Sequence, residues 1–232
     1  SRTVPLVSKI ANISMARIAT QLMMGSQTVK DLAMGRRTIP YYGVKEAVFP
    51  FNMLPEVDPV LGPEMRSTGE VLGLADSFGL AFFKAEEATQ VSLPEHGTVL
   101  ISVAEKGPAV LEIARELVAL GFTLKATKGT HQYLAEAGIP SEMVHKLNEG
   151  RPNITDEMMN QRIQLVINTP IGKRSQTDDS YIRKTALKYK IPYITTLAAA
   201  LASVKGIAAY RESKLGAVKL KSLQEYHQNI KK

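Results

Sequence analysis

The 232-residue sequence contains no cysteine and no tryptophan, and aromatic residues make up only 6% of it. Without cysteine there is no disulfide framework and no thiolate chemistry, which fits a reducing cytoplasm. The chain also lacks the run of roughly 18 apolar residues that a membrane helix needs. Its nearest stretch, 197–209, is alanine-rich and broken by Lys205 and Gly206. The first residues carry Arg2, Pro5, Ser8 and Lys9 where a signal peptide would have a long apolar core. A soluble cytoplasmic protein is expected. No Gly-x-x-x-x-Gly-Lys-Ser/Thr loop, His-Glu-x-x-His or Gly-x-Ser-x-Gly occurs, so three large classes of enzyme lack their signature here. The four histidines (His96, His131, His145, His227) show no ligand spacing.

What is present is charge of one sign in one part. The net charge is +7, yet residues 1–90 hold 9 basic and 9 acidic side chains, so the excess lies in residues 91–232, with 20 and 13. A basic half calls for an anionic partner. Nucleic acid is a poor candidate, because aromatics are few and the lysines and arginines are scattered rather than clustered. A phosphorylated small molecule suits the pattern better.

Residues 1–90 do not read as a self-sufficient domain. Ser14 to Met24 forms a helix ended by Gly25, and Thr28 to Met34 a second short one. Tyr41 to Phe51 looks like a strand, followed by a stretch broken by Pro50, Pro55, Pro59, Gly62 and Pro63. Ala75 to Ala88 is an amphipathic helix with Phe78, Ala81, Phe82 and Ala85 on one side. One strand-like run cannot close a sheet, so the segment is expected to be the edge of a larger domain whose body lies upstream.

After a hinge at 91–94 the pattern alternates strictly. Strands are expected at 99–103, 122–126, 143–147, 165–168 and 193–195, with helices at 108–120, 130–137, 156–161, 178–189 and 196–210. In the helix at 108–120, Val110, Ile113, Ala114 and Leu117 face inward. Five strand-helix alternations with short links predict an α/β fold: a five-stranded parallel sheet with helices on both faces. Ligands of such sheets bind beyond the carboxyl ends of the strands.

Those ends share a chemistry. They carry Ser102 and Lys106, then Thr127, Gly129 and Thr130, then His145 and Lys146, then Asn168, and last Thr195. The strongest single stretch is 121–130, read as strand, turn and helix start: Gly129 lets a ligand approach the backbone, and free amides and hydroxyls face it. Thr-x-Gly-Thr is also an ordinary helix cap. Five polar strand ends together favour a phosphate site. Asp178-Asp179 opens a helix, one as its cap and the other open to a ribose.

Two further stretches are recognisable. Val4-Pro5-Leu6-Val7-Ser8-Lys9 and Leu61-Gly62-Pro63-Glu64-Met65-Arg66-Ser67-Thr68-Gly69-Glu70-Val71 resemble the end of the second ATP-binding half of the carbamoyl phosphate synthetase large subunit family. Residues 91–232 resemble the methylglyoxal-synthase-like domain that ends that subunit, through Ala126-Thr127-x-Gly129-Thr130, Glu149-Gly150-Arg151-Pro152 and Val166-Ile167-Asn168-Thr169. The resemblance therefore divides the chain into 1–90, an ATP-grasp tail, and 91–232, an allosteric domain.

It implies an ATP-dependent ligase for the whole subunit, making carbamoyl phosphate from bicarbonate, ATP and ammonia for arginine and pyrimidine synthesis. ATP, magnesium or manganese, and potassium would be held by the upstream ATP-grasp body, and a glutamine amidotransferase small subunit would be a partner. The present chain alone would not catalyse. It would bind a nucleoside monophosphate, UMP or IMP, with phosphate contacts at Ser102, Lys106, Thr127, Gly129, Thr130 and Lys146 and nucleoside contacts at Asn168 and Asp178. Glu46 and Thr195 match positions that bind an ornithine-type activator. Three departures stand out: Pro170 replaces a hydroxyl residue, a one-residue deletion shifts the lysine of the first loop to Lys106, and no carboxylate occupies 150–154, where methylglyoxal synthase carries its catalytic aspartate. The competing functions are a free-standing lyase of a phosphorylated sugar and an oligomerisation domain.

Overall fold

A computed structural model describes residues 3–32, 35–49, 51, 69–169, 176–216 and 220–231, with residues 176–179 described as backbone only. The order of elements is α1 (Thr3–Ala11), α2 (Met15–Met23), β1 (Tyr42–Val48), β2 (Gly69–Ala75), α3 (Phe78–Ala88), β3 (Thr98–Val103), α4 (Pro108–Ala119), β4 (Thr123–Thr127), α5 (Lys128–Glu136), β5 (Glu142–Val144), α6 (Ile154–Met159), β6 (Leu165–Thr169), α7 (Gln176–Lys188), β7 (Tyr193–Ile194), α8 (Leu197–Leu215) and α9 (Leu223–Gln228).

Strands β3 to β7 build one parallel sheet in the order β5-β4-β3-β6-β7. The parallel strands are buried on both faces, which is why β3 is an almost unbroken apolar run: every residue from Val99 to Val103 is buried. On one face Val99, Ile101, Leu124, Ala126, Leu165 and Ile167 pack with α4 and α8. On the other, Leu100 and Val166 pack with Ile154, Met158, Ile182 and Ala186 from α6 and α7. Helix α4 forms because Pro108 opens it behind Gly107 and its apolar residues recur at helical spacing. Val110, Ile113, Ala114 and Leu117 are its buried residues, as expected. Gly121, at φ +78°, lets the chain turn out of it.

The first ninety residues hold more structure than their sequence announced. They contain a second strand: β2 runs antiparallel to β1, from Tyr42 opposite Ala75 to Val48 opposite Gly69. They also contain α1, while Thr28–Asp31 is a turn closed by the Asp31 carboxylate on the Thr28 amide, 2.8 Å, instead of a helix start. Helix α3 buries Ala81, Phe83 and Ala85 and leaves Phe78 45% exposed. The reason is that α3 is covered on two sides. One side meets β2, where any Cβ at Gly73 would run into the Ala81 carbonyl. The other meets α8, where a Cβ at Gly79 would stand 2.6 Å from the Lys205 carbonyl oxygen.

The chain end returns to its beginning. Helix α9, opened by a capping box between Ser222 and Glu225, sends the Tyr226 hydroxyl to the Leu74 carbonyl at 3.2 Å. Thr38 and Lys231 exchange backbone hydrogen bonds at 3.0 and 3.2 Å. Among the described residues no helix is long and apolar enough to cross a membrane.

Candidate functional site

The sheet changes direction between β3 and β6: the chain first builds β4 and β5 to one side of β3, then crosses to add β6 and β7 on the other. A crevice at such a point, beyond the carboxyl ends of the strands, is where ligands of open α/β sheets bind. The register puts Ser102 of β3 directly opposite Asn168 of β6 at that point. One step further along β3 and β4 than the Ile101–Ala126 pair, Ser102 comes beside Thr127, their hydroxyl oxygens 3.5 Å apart. Thr127, Ser102 and Asn168 therefore form a polar row across three neighbouring strands. All three are buried, at 5%, 9% and 2% exposure.

Helix α5 starts at Lys128, directly after β4, so the expected turn at 127–130 is itself the first turn of the helix. Thr127 stands at the cap position but its hydroxyl makes no cap hydrogen bond. It lies 3.4 Å from the Thr130 hydroxyl instead. Thr130, fully buried, accepts from the Val103 amide and donates to the Val103 carbonyl, both at 3.3 Å, tying α5 to the end of β3. The leading amides of α5 are thus left uncapped by Thr127, and they carry the positive end of the helix dipole.

Lys106 adds a second positive group at the same place. Its ammonium donates to the carbonyls of Val103 and Ala104 at 3.0 and 3.1 Å, and a Cβ built at Gly129 would lie 3.6 Å from it. Ammonium and helix start converge on one space, an arrangement that an anion stabilises.

Lys146 follows β5 and is exposed, and its backbone amide donates to the Glu149 carboxylate at 3.0 Å. Asn153, in the turn that lacks a carboxylate, caps α6: it accepts from the Asp156 amide at 3.1 Å while its own amide donates to the Asp156 carboxylate at 3.0 Å. Asp178 is the third residue of α7, inside the first turn and not at its cap. Residue 170, where a hydroxyl was noted as replaced, lies outside the described residues. Thr195 follows β7 one step beyond the pairing of Ile167 with Ile194, next in line after Asn168. Glu46 sits in the other sheet, opposite Val71. Burial pushes its carboxyl up, and burial and then Glu46 push the Glu86 carboxyl up to about 7.

Sequence reasoning missed Tyr193. It pairs with Val166, two residues before Asn168 on the same face, and its hydroxyl accepts from the Asn168 side-chain amide at 2.7 Å. The period of two along a strand made this diagonal contact readable once the strand order is known.

A buried ionic group keeps this face in place. Glu157 of α6, 3% exposed at its side chain, is held by Lys125 of β4 at 2.7 Å and by Arg162 at 3.2 Å. Burial disfavours the charge on Lys125, but hydrogen bonds and charges from Glu157 and Glu142 outweigh it and its pKa is raised.

Residues 109–195 match the MGS-like domain family. The chain is 48% identical over 231 residues to the carbamoyl phosphate synthase large chain of Archaeoglobus fulgidus, a match covering 98% of this chain and 21% of that protein. It is 47% identical to the large chain of a Nostoc species, covering 99% and 21%. It is 42% identical to the separate C-terminal section of the large chain in Aquifex aeolicus, covering 98% and 46%. The chain spans about a fifth of the two full large chains and under half of the Aquifex section. Matched along nearly its whole length to these proteins, and over residues 109–195 to an MGS-like domain, the chain belongs with the carboxyl-terminal region of the carbamoyl phosphate synthase large-chain family.

Proposed function

We propose that the chain is an effector-binding regulatory region that takes a nucleoside monophosphate, UMP or IMP, at the carboxyl ends of its parallel strands. The observation that carries this reading is the convergence, at the crossing between β3 and β6, of Ser102, Thr127 and Thr130 with the uncapped start of α5 and the Lys106 ammonium. The Ser102 and Thr127 hydroxyls and the α5 amides supply directional donors to phosphate oxygens, lysine supplies charge, and Thr130, its proton given to the Val103 carbonyl, holds the start of α5 against β3. Lys146 joins them from the loop after β5, and Asn168 and Asp178 serve the nucleoside.

In this reading residues 91–232 are the regulatory domain and residues 1–90 are the tail of an ATP-grasp domain. The whole protein is an ATP-dependent ligase that forms carbamoyl phosphate for pyrimidine and arginine synthesis, with a glutamine amidotransferase subunit as partner. ATP, magnesium or manganese, and potassium belong to its upstream body. Among the described residues no three His, Asp or Glu side chains gather to hold a metal ion. The effector acts by binding two states of the protein unequally, a coupling of about 1–3 kcal/mol. Glu46 and Thr195 mark the position of an ornithine-type activator, and the neighbouring Glu86 carboxylate gives such a cation a second partner.

A lyase reaction on a phosphorylated sugar finds less support. It needs a carboxylate base in the 150–154 turn, and Asp156, the acid that follows, is engaged by the Asn153 amide and lies 3.8 Å from Arg151. Calorimetric titration with UMP, IMP and inorganic phosphate tests the proposal. Heat of binding that is lost in Thr127→Ala supports it, and no heat at millimolar effector overturns it.

A further inference from the structure

We infer that Gly129 is a specificity-determining position, bare of a side chain so that an oxyanion can enter between the start of α5 and the Lys106 ammonium. The inference deepens the nucleoside monophosphate reading and rests on it, at the phosphate end of that site. Other glycines of the chain show why the fold needs them. A Cβ at Gly73 or Gly79 would run into the backbone of a neighbouring helix, and Gly121 and Gly138 stand at φ +78° and +70°, where a side chain is strained. Gly129 has neither reason. It is the second residue of α5, in helical backbone, and among the described residues a Cβ there would meet only the Lys106 side chain, 3.6 Å from Nζ and 3.9 Å from Cε, which is ordinary contact. Alanine is the best helix former and glycine a poor one, so the fold alone favours a methyl group at this place.

The neighbouring hydroxyls are short of partners. Ser102 and Thr127 are buried, at 9% and 5% exposure, yet the Thr127 hydroxyl lies 3.5 Å from that of Ser102 and 3.4 Å from that of Thr130. Hydrogen bonds between hydroxyls close to about 2.5–3.0 Å, so these groups stand together without bonding well. A buried hydroxyl in that position is costly, and a ligand oxygen relieves it whichever way each proton turns. Lys106 is set beside them. The carbonyls of Val103 and Ala104 take two of its three protons, at 3.0 and 3.1 Å, which steadies a flexible side chain and leaves one proton for a ligand. A phosphate oxygen bonded to that ammonium stands about 2.7–2.9 Å from it. A methyl group on residue 129, 3.6 Å from the same nitrogen, competes with such an oxygen on the side that faces the helix. The glycine thus selects a ligand whose oxygens reach the backbone of α5, and a tetrahedral phosphate does so while touching the lysine.

Gly129→Ala adds one methyl group and leaves every donor in place. A glycine required by the fold lowers stability when it is replaced, whereas one kept for a ligand lowers affinity alone. The experiment titrates wild type and Gly129→Ala with UMP and with inorganic phosphate by calorimetry, and melts each without ligand. Gly129→Ala is expected to melt at the wild-type temperature or above it. It is expected to weaken both ligands about tenfold or more, the worth of a hydrogen bond to a charged group. Both fall together because the conflict lies at the phosphate. Lys106→Met keeps the length of the side chain and removes its charge. Combined with Gly129→Ala it is expected to cost less affinity than the sum of the two changes, since both act on the same phosphate oxygen. Unchanged phosphate affinity in Gly129→Ala overturns the inference and leaves the nucleotide site standing, as does an additive double variant. So does a Gly129→Ala chain that melts lower or fails to fold, which assigns the glycine to the fold, and a loss confined to UMP, which puts the conflict at the nucleoside. A wild type that binds neither ligand overturns the nucleotide reading and this inference with it.

Discussion

The rings of Phe83 and Tyr210 are stacked with centroids 4.0 Å apart and planes within 10°. Phe83 belongs to α3, ahead of the parallel sheet, and Tyr210 to α8, its last long helix. Phe83 also lies in the core shared with Val99, Ile101 and Leu165. The strand pair β1·β2 is thus joined to the parallel sheet through α3 by packing that excludes water. Helix α8 in turn begins at Leu197, behind its cap Thr196, at the end of the sheet that carries the site.

Truncating this stack should be costly. Phe83→Ala removes a ring that is 3% exposed, and a loss of roughly 3–5 kcal/mol is expected. Urea unfolding followed by circular dichroism measures it, and a loss below 1 kcal/mol would show that the stack contributes little.

The two glycines at the same crossing should differ in cost. A Cβ at Gly79 would stand 2.6 Å from a backbone oxygen of Lys205, and one at Gly206 3.3 Å from the Gly79 oxygen. Backbone cannot give way as a side chain can. Gly79→Ala is expected to lose about 1–3 kcal/mol and Gly206→Ala less. Paired thermal melts rank them, and the reverse order would contradict the packing described.

The buried acid of α6 needs its lysine. Lys125→Met leaves Glu157 in the interior with Arg162 alone, and about 3 kcal/mol should be lost. The double variant Lys125→Met with Glu157→Leu removes the stranded charge and should recover most of that loss. Failure of the second change to rescue the first would show that burial of the charge is not the cause.

Stability should fall as the medium turns from acid to neutral. The Glu86 carboxyl is held up to about 7 by burial and then by Glu46, against 4.5 in the unfolded chain. Between those values the native state binds the extra proton, so unfolding becomes easier as pH rises through the window. The penalty above pH 7 is on the order of 2 kcal/mol after discounting for partial exposure. Glu86→Gln should flatten the dependence of melting temperature on pH between 5 and 8, and an unchanged slope would assign it to another group.

Anion binding should depend on Thr127 more through its hydroxyl than through its volume. Thr127→Ser is expected to keep phosphate affinity, and Thr127→Val to weaken it about tenfold. Titration with inorganic phosphate separates the two, and equal affinities would remove Thr127 from the site.

The sequence by itself determined the five-stranded α/β pattern and the buried face of α4. Both are local facts: an apolar run of five or six residues, or a spacing of three and four, is written in consecutive positions. It also announced that the strand ends are polar. Elements that exist only because a partner exists were not legible. Strand β2 carries two glycines and among the described residues pairs only with β1, and α1 is met by α9, whose His227 ring lies on the Lys9 carbonyl. Helix α9 did leave a local sign, the Ser222 to Glu225 cap, but it is six residues long. Helix α3 was assigned one apolar face because a single-sided stripe is the simplest pattern, whereas contact with both β2 and α8 buries Phe83 and frees Phe78. Strand order was decided by the tertiary structure alone, since hydrogen-bonded ladders form between residues whose separation along the chain carries no signal. Only that order makes Ser102 and Asn168, 66 residues apart, neighbours across one ladder, and only it brings Tyr193 within 2.7 Å of the Asn168 side-chain amide.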